Sequence, residues 1–226
     1  MGSAKGIGMK KIFLAFAGMV AVLGIVFFVP AGTFDYWQAW VYIAVVFFFA
    51  AFVVAYFLRY DPQFLDRRLR FKEKEATQKS VINASYFIFL VGFLLPGLDR
   101  RFGWSNVPLE VVLVADAFVL LGYALCFQVM RENRYAVRTV EVMKGQKVIT
   151  TGAYSVVRHP FYVGQLLLFL ATPIALGSYW ALLPFLLMVP LMVFRILNEE
   201  EVLRRGLKGY KEYCKKTKYR LVPFVW

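Results

Sequence analysis

The sequence contains one histidine and two cysteines among its 226 residues. Haem clamps, di-iron boxes, histidine-rich zinc sites and HExxH metalloproteases need two or more imidazoles, so a lone His159 argues against all of them. Cys126 and Cys214 provide neither a thiolate quartet for a metal nor an obvious disulfide framework. We therefore expect chemistry that uses no metal.

Long polar stretches are also scarce, because 60% of the chain is hydrophobic and 23 residues are phenylalanine. Such a composition is too apolar for a soluble domain of this length, and a bilayer core of about 30 Å is crossed by about 20 apolar residues. The expected fold is an all-α integral membrane protein with about six membrane helices. The predicted spans are residues 12–29, 37–58, 81–98, 107–130, 161–176 and 180–197. The last two are expected to form a helical hairpin that turns at Gly177 and Ser178.

The basic residues predict how these spans are oriented. If both termini are cytoplasmic, every Lys and Arg except Arg100 and Arg101 falls on the cytoplasmic side, in agreement with the positive-inside rule. The net charge of +13 could indicate nucleic acid, but the cations lie in segments that border one membrane face. Anionic membrane lipids are therefore the expected partner, and nucleic acid is not.

A polar loop at residues 131–160 follows the fourth span and is too rich in β-branched and turn-forming residues to be a membrane helix. Pro160 pre-sets the first turn of the next helix and so holds His159 beside free backbone N–H groups, which favour an anionic ligand. Gly164 permits close approach to that helix. From this segment alone, helix capping by His159 and helix packing at Gly164 explain the pattern equally well.

Three consecutive acids, Glu199 to Glu201, follow the last span at a boundary rich in cations. Glu201 is expected to pair with Arg204 or Arg205 at helical spacing, in an amphipathic helix over residues 202–214. Glu199 and Glu200 remain as ligand candidates. Membrane-interface anchoring explains most of the tail tyrosines, although one or two of them could face a cofactor; these are Tyr210, Tyr213 and Tyr219.

The order of these elements resembles one enzyme family. RHPxYxG at residues 158–164, a helical hairpin, EE at residues 199–200 and a GYxxY tail that ends in RxxP are similar to the isoprenylcysteine carboxyl methyltransferase family. The related phospholipid N-methyltransferases share the RHP and EE elements. The resemblance covers about residues 120–226.

This resemblance implies an S-adenosylmethionine-dependent membrane methyltransferase with a lipidic, prenylated or otherwise membrane-partitioned acceptor. Carboxyl O-methylation is the expected reaction and phospholipid amine N-methylation the alternative; a small transporter or membrane scaffold is more remote. Residues 1–106 would hold spans one to three. Residues 107–226 would form the methyltransferase core, with a cofactor site built by the cytoplasmic loop 131–160, the hairpin 161–197 and the tail 198–226 with its amphipathic helix.

The resemblance also implies two sets of site residues. The cofactor-binding residues are Tyr154, Arg158, His159, Pro160, Tyr162, Gly164, Glu199 and Glu200. The acceptor-side catalytic residues are Arg131, Asn133 and Arg220.

These residue types suit the chemistry. Methyl transfer from a sulfonium needs alignment and exclusion of water but few proton transfers. A glutamate can bind ribose hydroxyls or an ammonium group, and Arg158 can bind a carboxylate. A carboxylate acceptor would be oriented by Arg131 or Arg220, whereas an amine acceptor would need His159 or a glutamate as base.

Overall fold

The computed structural model describes residues 9–69, 76–136 and 139–226, and the regular secondary structure in this part of the chain is entirely helical. A short 3-10 helix, Gly152–Ser155, precedes the sixth α-helix. The α-helices are α1 Met9–Ala31, α2 Trp37–Tyr60, α3 Pro62–Leu69, α4 Ala76–Phe102, α5 Leu109–Glu132, α6 Pro160–Ala175, α7 Leu182–Gly206 and α8 Tyr210–Lys216.

Five of these helices, α1, α2, α4, α5 and α7, are long and apolar enough to cross a membrane. The chain is therefore an all-α integral membrane protein that spans the bilayer several times, as predicted. The predicted fifth span corresponds to α6, which is apolar but has only 16 residues. At about 1.5 Å per residue it extends for about 24 Å and falls short of a core of about 30 Å. Residues 1–8, where part of the predicted N-terminal positive charge lies, are outside the described residues.

The hairpin of α6 and α7 turns at Gly177, as predicted, with φ of 74°. Asp99, in the last turn of α4, fixes this turn to the rest of the molecule. Its side chain is buried and accepts hydrogen bonds from the backbone N–H of Ser105 at 2.7 Å and from the hydroxyl groups of Ser105 and Ser178 at 2.6 and 2.5 Å. The buried carboxylate is thus fully hydrogen-bonded, and it anchors the hairpin at the end opposite His159.

Helix α6 packs against α5 through two glycines. A Cβ atom on Gly164 would lie 2.7 Å from the Cys126 Sγ atom and 2.8 Å from the Gly122 carbonyl oxygen. A Cβ atom on Gly122 would in turn lie 2.9 Å from the Gly164 carbonyl oxygen. The close approach that the sequence predicts at Gly164 is therefore an approach of the α5 backbone.

Gly164→Ala is expected to destabilise the protein by about 1–3 kcal/mol, because overpacking against backbone atoms forces two helices apart. Gly24→Ala is the matched control: it also lies within a membrane helix, but its Cβ would meet nothing within 4 Å. Thermal unfolding of both variants in detergent measures the difference. Equal melting temperatures would show that α5 and α6 separate at no cost.

The prediction of one continuous amphipathic helix over residues 202–214 is wrong, because two helices share this segment. Helix α7 continues to Gly206, and α8 begins only at Tyr210. Gly209 between them has φ of 87°, a left-handed conformation that interrupts a helix and that glycine adopts without steric cost. This break turns α8 over the polar loop, where Tyr210 and Tyr213 pack with Val142 and Val148.

The chain after α8 returns to the start of α6. The backbone N–H groups of Arg158 and His159 donate to the carbonyl oxygens of Tyr219 and Arg220 at 2.9 and 3.0 Å. Leu221 is buried against α7. The tail therefore covers the RHP segment and closes one side of the region between α6 and α7.

Candidate active site

A cavity of about 440 Å³ lies between α4, α6, α7 and the polar loop. This volume falls within the range of about 300–1,000 Å³ that is usual for small-ligand sites. Its lining changes along α7 from Glu199 and Arg195 to Met192 and Met188, over about 16 Å of helix. The cavity thus has a polar part at the ends of the helices and an apolar part deeper between α4, α6 and α7.

Three side chains link α6 to α7 in the polar part. The Tyr162 hydroxyl donates to Glu199 Oε2 at 2.7 Å, and Arg195 Nε donates to the Tyr162 oxygen at 2.9 Å. Arg195 and Glu199 lie four residues apart and therefore on one face of α7. Their shared contact with Tyr162 orients the Glu199 carboxylate at the cavity wall.

Tyr154 and Asn133 form a second polar wall. Asn133 Nδ2 donates to the Tyr154 hydroxyl oxygen at 2.8 Å. Burial raises the pKa of Tyr154 to about 12, above the ordinary tyrosine value of about 10, so its hydroxyl stays protonated even in mildly alkaline solution. The 3-10 helix that carries Tyr154 is held by Glu132, whose Oε2 accepts from the backbone N–H of Ala153 at 3.1 Å.

Glu200 is buried at 2% exposure and has four cationic or imidazole neighbours. Its Oε1 atom accepts from Arg158 Nε at 2.6 Å and lies 3.3 Å from His159 Nε2. Its Oε2 atom accepts from Arg204 at 3.1 Å and Arg220 at 3.2 Å. The hairpin therefore brings together His159 and Glu200, which are 41 positions apart in the sequence.

Arg158 extends this network to the tail. Its NH1 group donates to the carbonyl oxygens of Thr217 and Lys218 at 2.9 and 2.6 Å. A buried guanidinium is stable only when it is paired and hydrogen-bonded, and Arg158 meets both conditions. Glu200 and its four partners, named here the Glu200 cluster, therefore join α6, α7 and the tail next to the cavity.

The residues predicted for the site fall into four groups by position. Those that line the cavity are Asn133, Tyr154, Arg158, His159, Tyr162 and Glu199. Glu200 and Arg220 line a separate cleft beyond the Glu200 cluster. Pro160 is buried at the first turn of α6, and Gly164 is against α5. Arg131 lies outside the cavity and the cleft. Its guanidinium carbon is 5.7 Å from the centre of the Tyr56 ring and 5.8 Å from that of the Phe127 ring.

Several polar residues of the cavity wall were not predicted from the sequence, and Arg68, Gln165 and Arg195 are among them. Tyr210, one of the tail tyrosines predicted as possible cofactor contacts, also lines the cavity. Helical spacing could have identified Gln165 and Arg195, because they follow and precede Tyr162 and Glu199 by one turn on the same faces. No local pattern indicates Arg68. It reaches the cavity from α3, donates to the Ala136 carbonyl oxygen at 2.5 Å and lies 4.9 Å from the centre of the Phe161 ring.

Tyr210 has an unusual hydroxyl group. The residue is 4% exposed and lines the cavity, yet its hydroxyl has no hydrogen-bond partner within the described residues. An unsatisfied buried hydroxyl is costly, by about 1–3 kcal/mol. The group is therefore suited to a ligand that supplies the missing hydrogen bond.

Comparison with known proteins gives a match for the part of this cavity that is built by the polar loop, α6 and α7. Residues 111–209 match the family model described as phospholipid methyltransferase. The match includes α5, the polar loop, α6 and α7, and it supports a membrane methyltransferase. Carboxyl and amine acceptors are supported equally, so the resemblance to isoprenylcysteine carboxyl methyltransferases is confirmed only at the broader level.

The chain is also similar to Delta(14)-sterol reductase TM7SF2 of Mus musculus, with 33% identity over 92 residues. These residues make up 39% of this chain and 22% of the reductase. The chain thus matches only about a fifth of the length of this curated relative.

Proposed function

We propose that the protein is a membrane methyltransferase that uses S-adenosylmethionine to methylate a membrane-partitioned acceptor. The observation that carries this proposal is the cavity, polar at the helix ends and apolar between the helices, most of whose polar wall lies in a segment that matches a phospholipid methyltransferase model. A polar cofactor and a greasy acceptor need these two environments in contact. The polar part would receive the cofactor, and the apolar part the acceptor.

The donors and acceptors in the polar part fit the cofactor's groups. S-adenosylmethionine supplies an electrophilic methyl group on a sulfonium. Glu199 can accept hydrogen bonds from ribose hydroxyls or pair with the ammonium group, and the unpartnered Tyr210 hydroxyl can bind a further polar atom. Tyr162 and Arg195 hold Glu199 in place, so that its carboxylate is oriented before binding.

The other predicted residues would contribute by holding the binding groups and helices in place. Arg158 and His159 line the cavity and are fixed by Glu200, which would therefore serve the cofactor through them. Pro160 and Gly164 would set the direction and depth of α6. Asn133 would orient the Tyr154 hydroxyl. The acceptor roles of Arg131 and Arg220 remain predictions, and each residue would have to leave its present partners to reach the cavity.

The charge of the cavity wall favours a carboxylate acceptor over an amine. Arg158 is neutralised by its pair with Glu200, but among the other described lining residues the cations Arg68, Lys147 and Arg195 still outnumber the acids Glu141 and Glu199. An excess of positive charge attracts a carboxylate and raises the cost of bringing in a cationic amine. A carboxylate is also ionised at neutral pH and needs no base. We therefore propose carboxyl O-methylation, with amine N-methylation as the alternative.

A reductase that acts on a sterol-like lipid is a second candidate, favoured by the 33% identity to the sterol reductase. Reduction of a double bond requires a hydride donor such as a reduced nicotinamide dinucleotide. Isothermal titration of the detergent-solubilised protein with each cofactor separates the candidates. Binding of S-adenosylmethionine alone supports the methyltransferase, binding of the nicotinamide alone overturns it, and binding of neither points to a transporter or scaffold.

Tyr210→Phe tests the proposed cofactor contact. Loss of the hydrogen bond should weaken S-adenosylmethionine binding by about 0.5–1.5 kcal/mol, whereas removal of an unsatisfied buried hydroxyl should leave the empty protein as stable or more stable. Tyr213→Phe is the control, because its hydroxyl donates to the Tyr154 carbonyl oxygen at 2.7 Å and its loss should lower stability. Titration and thermal unfolding measure both effects. Unchanged binding in Tyr210→Phe would remove Tyr210 from the site.

We also propose that both termini and the polar loop are cytoplasmic, because this orientation leaves only Arg100 and Arg101 of the basic residues outside. Gly145→Cys, in a chain whose native cysteines are replaced by serine, should react with an impermeant thiol reagent only in inside-out vesicles. Arg101→Cys should show the opposite pattern. Reaction at residue 145 in right-side-out vesicles would reverse the topology.

A further inference from the structure

A second cleft, distinct from the cavity, lies at the C-terminal end of α7. It has a volume of about 500 Å³ and is lined by Leu197, Glu200, Glu201, Arg204, Arg205, Lys211 and Arg220. None of these residues lines the cavity among the residues described. The two acids and four cations in this lining leave the cleft positively charged.

The cleft lies where the surface of α7 changes from apolar to cationic. Phe194 and Leu197 are exposed by 50% and 45%, as expected for side chains that face lipid. Arg204 and Arg205 follow about two turns later, and Lys211 on α8 and Arg220 in the tail form the opposite wall. An apolar surface directly next to a basic cleft is the environment of a phospholipid at the membrane interface.

Glu200 pre-organises the cations of this cleft. Its Oε2 atom accepts from both Arg204 NH2 and Arg220 Nε, so the two guanidinium groups are held side by side. Its Oε1 atom is paired with Arg158 on the cavity side, which compensates part of the negative charge. Each guanidinium group has five N–H donors, and one hydrogen bond to Glu200 leaves others for an oxyanion. Paired guanidinium groups of this kind suit phosphate.

We propose that this cleft binds the phosphate of an anionic phospholipid, whose acyl chains lie along α7 beside Leu197 and Phe194. The bound lipid is distinct from the methyl acceptor, because the cleft and the cavity are on opposite sides of Glu200. The bound phosphate would contact α7, α8 and the tail at once and so link them. The proposal does not depend on the methyltransferase reaction.

The test compares two double variants, each of which removes two cations from the region of α7 and α8. Arg205→Gln with Lys211→Gln changes the cleft but leaves the residues assigned to the cavity intact. Lys215→Gln with Lys216→Gln is the matched control, because both lysines are exposed on α8 and lie outside the cleft. Native mass spectrometry of the full chain in detergent would count bound phosphatidylglycerol and phosphatidylcholine with identical acyl chains.

The unaltered protein is expected to retain one phosphatidylglycerol in preference to phosphatidylcholine. The cleft variant should lose at least about tenfold in this preference, and the control should keep it. Equal loss in both variants would show diffuse attraction to basic residues, and no loss in either would show that the cleft is not a lipid site. Equally effective binding of glycerol 3-phosphate would indicate a soluble anion and also overturn the proposal.

Discussion

Glu200→Gln is expected to lower the free energy of unfolding by about 3–5 kcal/mol, the usual cost of removing one partner from a buried ion pair. Glu200 is 2% exposed, and Arg158, with which it pairs at 2.6 Å, is 6% exposed. The neutral amide would leave the buried Arg158 guanidinium without its anion. It would also release the contact to Arg220 that joins α7 to the tail and the contact to Arg204 one turn further along α7.

Glu201→Gln provides the control one position further along α7. Glu201 pairs with Arg205, as the sequence predicts, but both side chains are exposed, and exposed pairs contribute about 0–1 kcal/mol. Unfolding of the two variants in mixed detergent micelles compares them directly. A small effect for both would mean that the Glu200 cluster is not needed for stability and that Glu200 is kept for a ligand.

The different environments of Glu199 and Glu200 show what the sequence could not resolve. Both are acids next to the last span, and the sequence predicts the same ligand role for each. Successive residues of an α-helix point about 100° apart, so one of the two faces the cavity and the other faces the tail. Which acid takes which direction depends on how α7 rotates against α6, and that is set by packing of the whole hairpin.

The membrane helices were predictable because length and hydropathy determine them locally. The hairpin was predictable for the same reason, together with the glycine in its turn. The break between α7 and α8 was not, because residues 202–214 have helical periodicity throughout, and the interruption comes from the extended conformation of Leu207 and the left-handed conformation of Gly209. Arg68 was not predictable either, since it reaches the cavity from α3, more than 40 residues before the matched region.

The polar part of the cavity was therefore predicted better than the apolar part. The RHP and EE segments carry recognisable chemistry, whereas the apolar walls from α4 and α7 consist of residues that any membrane helix contains. Val81, Phe89 and Met188 have no distinguishing sequence signal, and only the packing of α4 against α7 brings them together. Acceptor selectivity, which this part would control, is accordingly the property least accessible from sequence.

An acceptor shortened by four methylene groups is expected to lose about two orders of magnitude in kcat/KM, because each buried methylene contributes about 0.8 kcal/mol. This prediction rests on the proposed function and on the apolar part of the cavity. Cofactor affinity should not change, since the cofactor would occupy the polar part. Methyl transfer from labelled S-adenosylmethionine to a series of acceptors of increasing chain length measures the effect.

Met188→Trp tests the same proposal, that the acceptor chain occupies the apolar part of the cavity, by changing the protein and not the acceptor. Met188 is 5% exposed and lines the apolar part, so a larger side chain there should exclude the long chain and lower kcat/KM to a similar extent while cofactor binding persists. Leu187→Trp is the control, because this neighbouring residue is 58% exposed and lies outside the cavity lining. If Leu187→Trp and Met188→Trp were equally active, or if short water-soluble acceptors reacted as fast as long ones, the acceptor chain would not lie between α4 and α7. The acceptor would then have to reach the polar part from the aqueous side, past the loop that carries Tyr154.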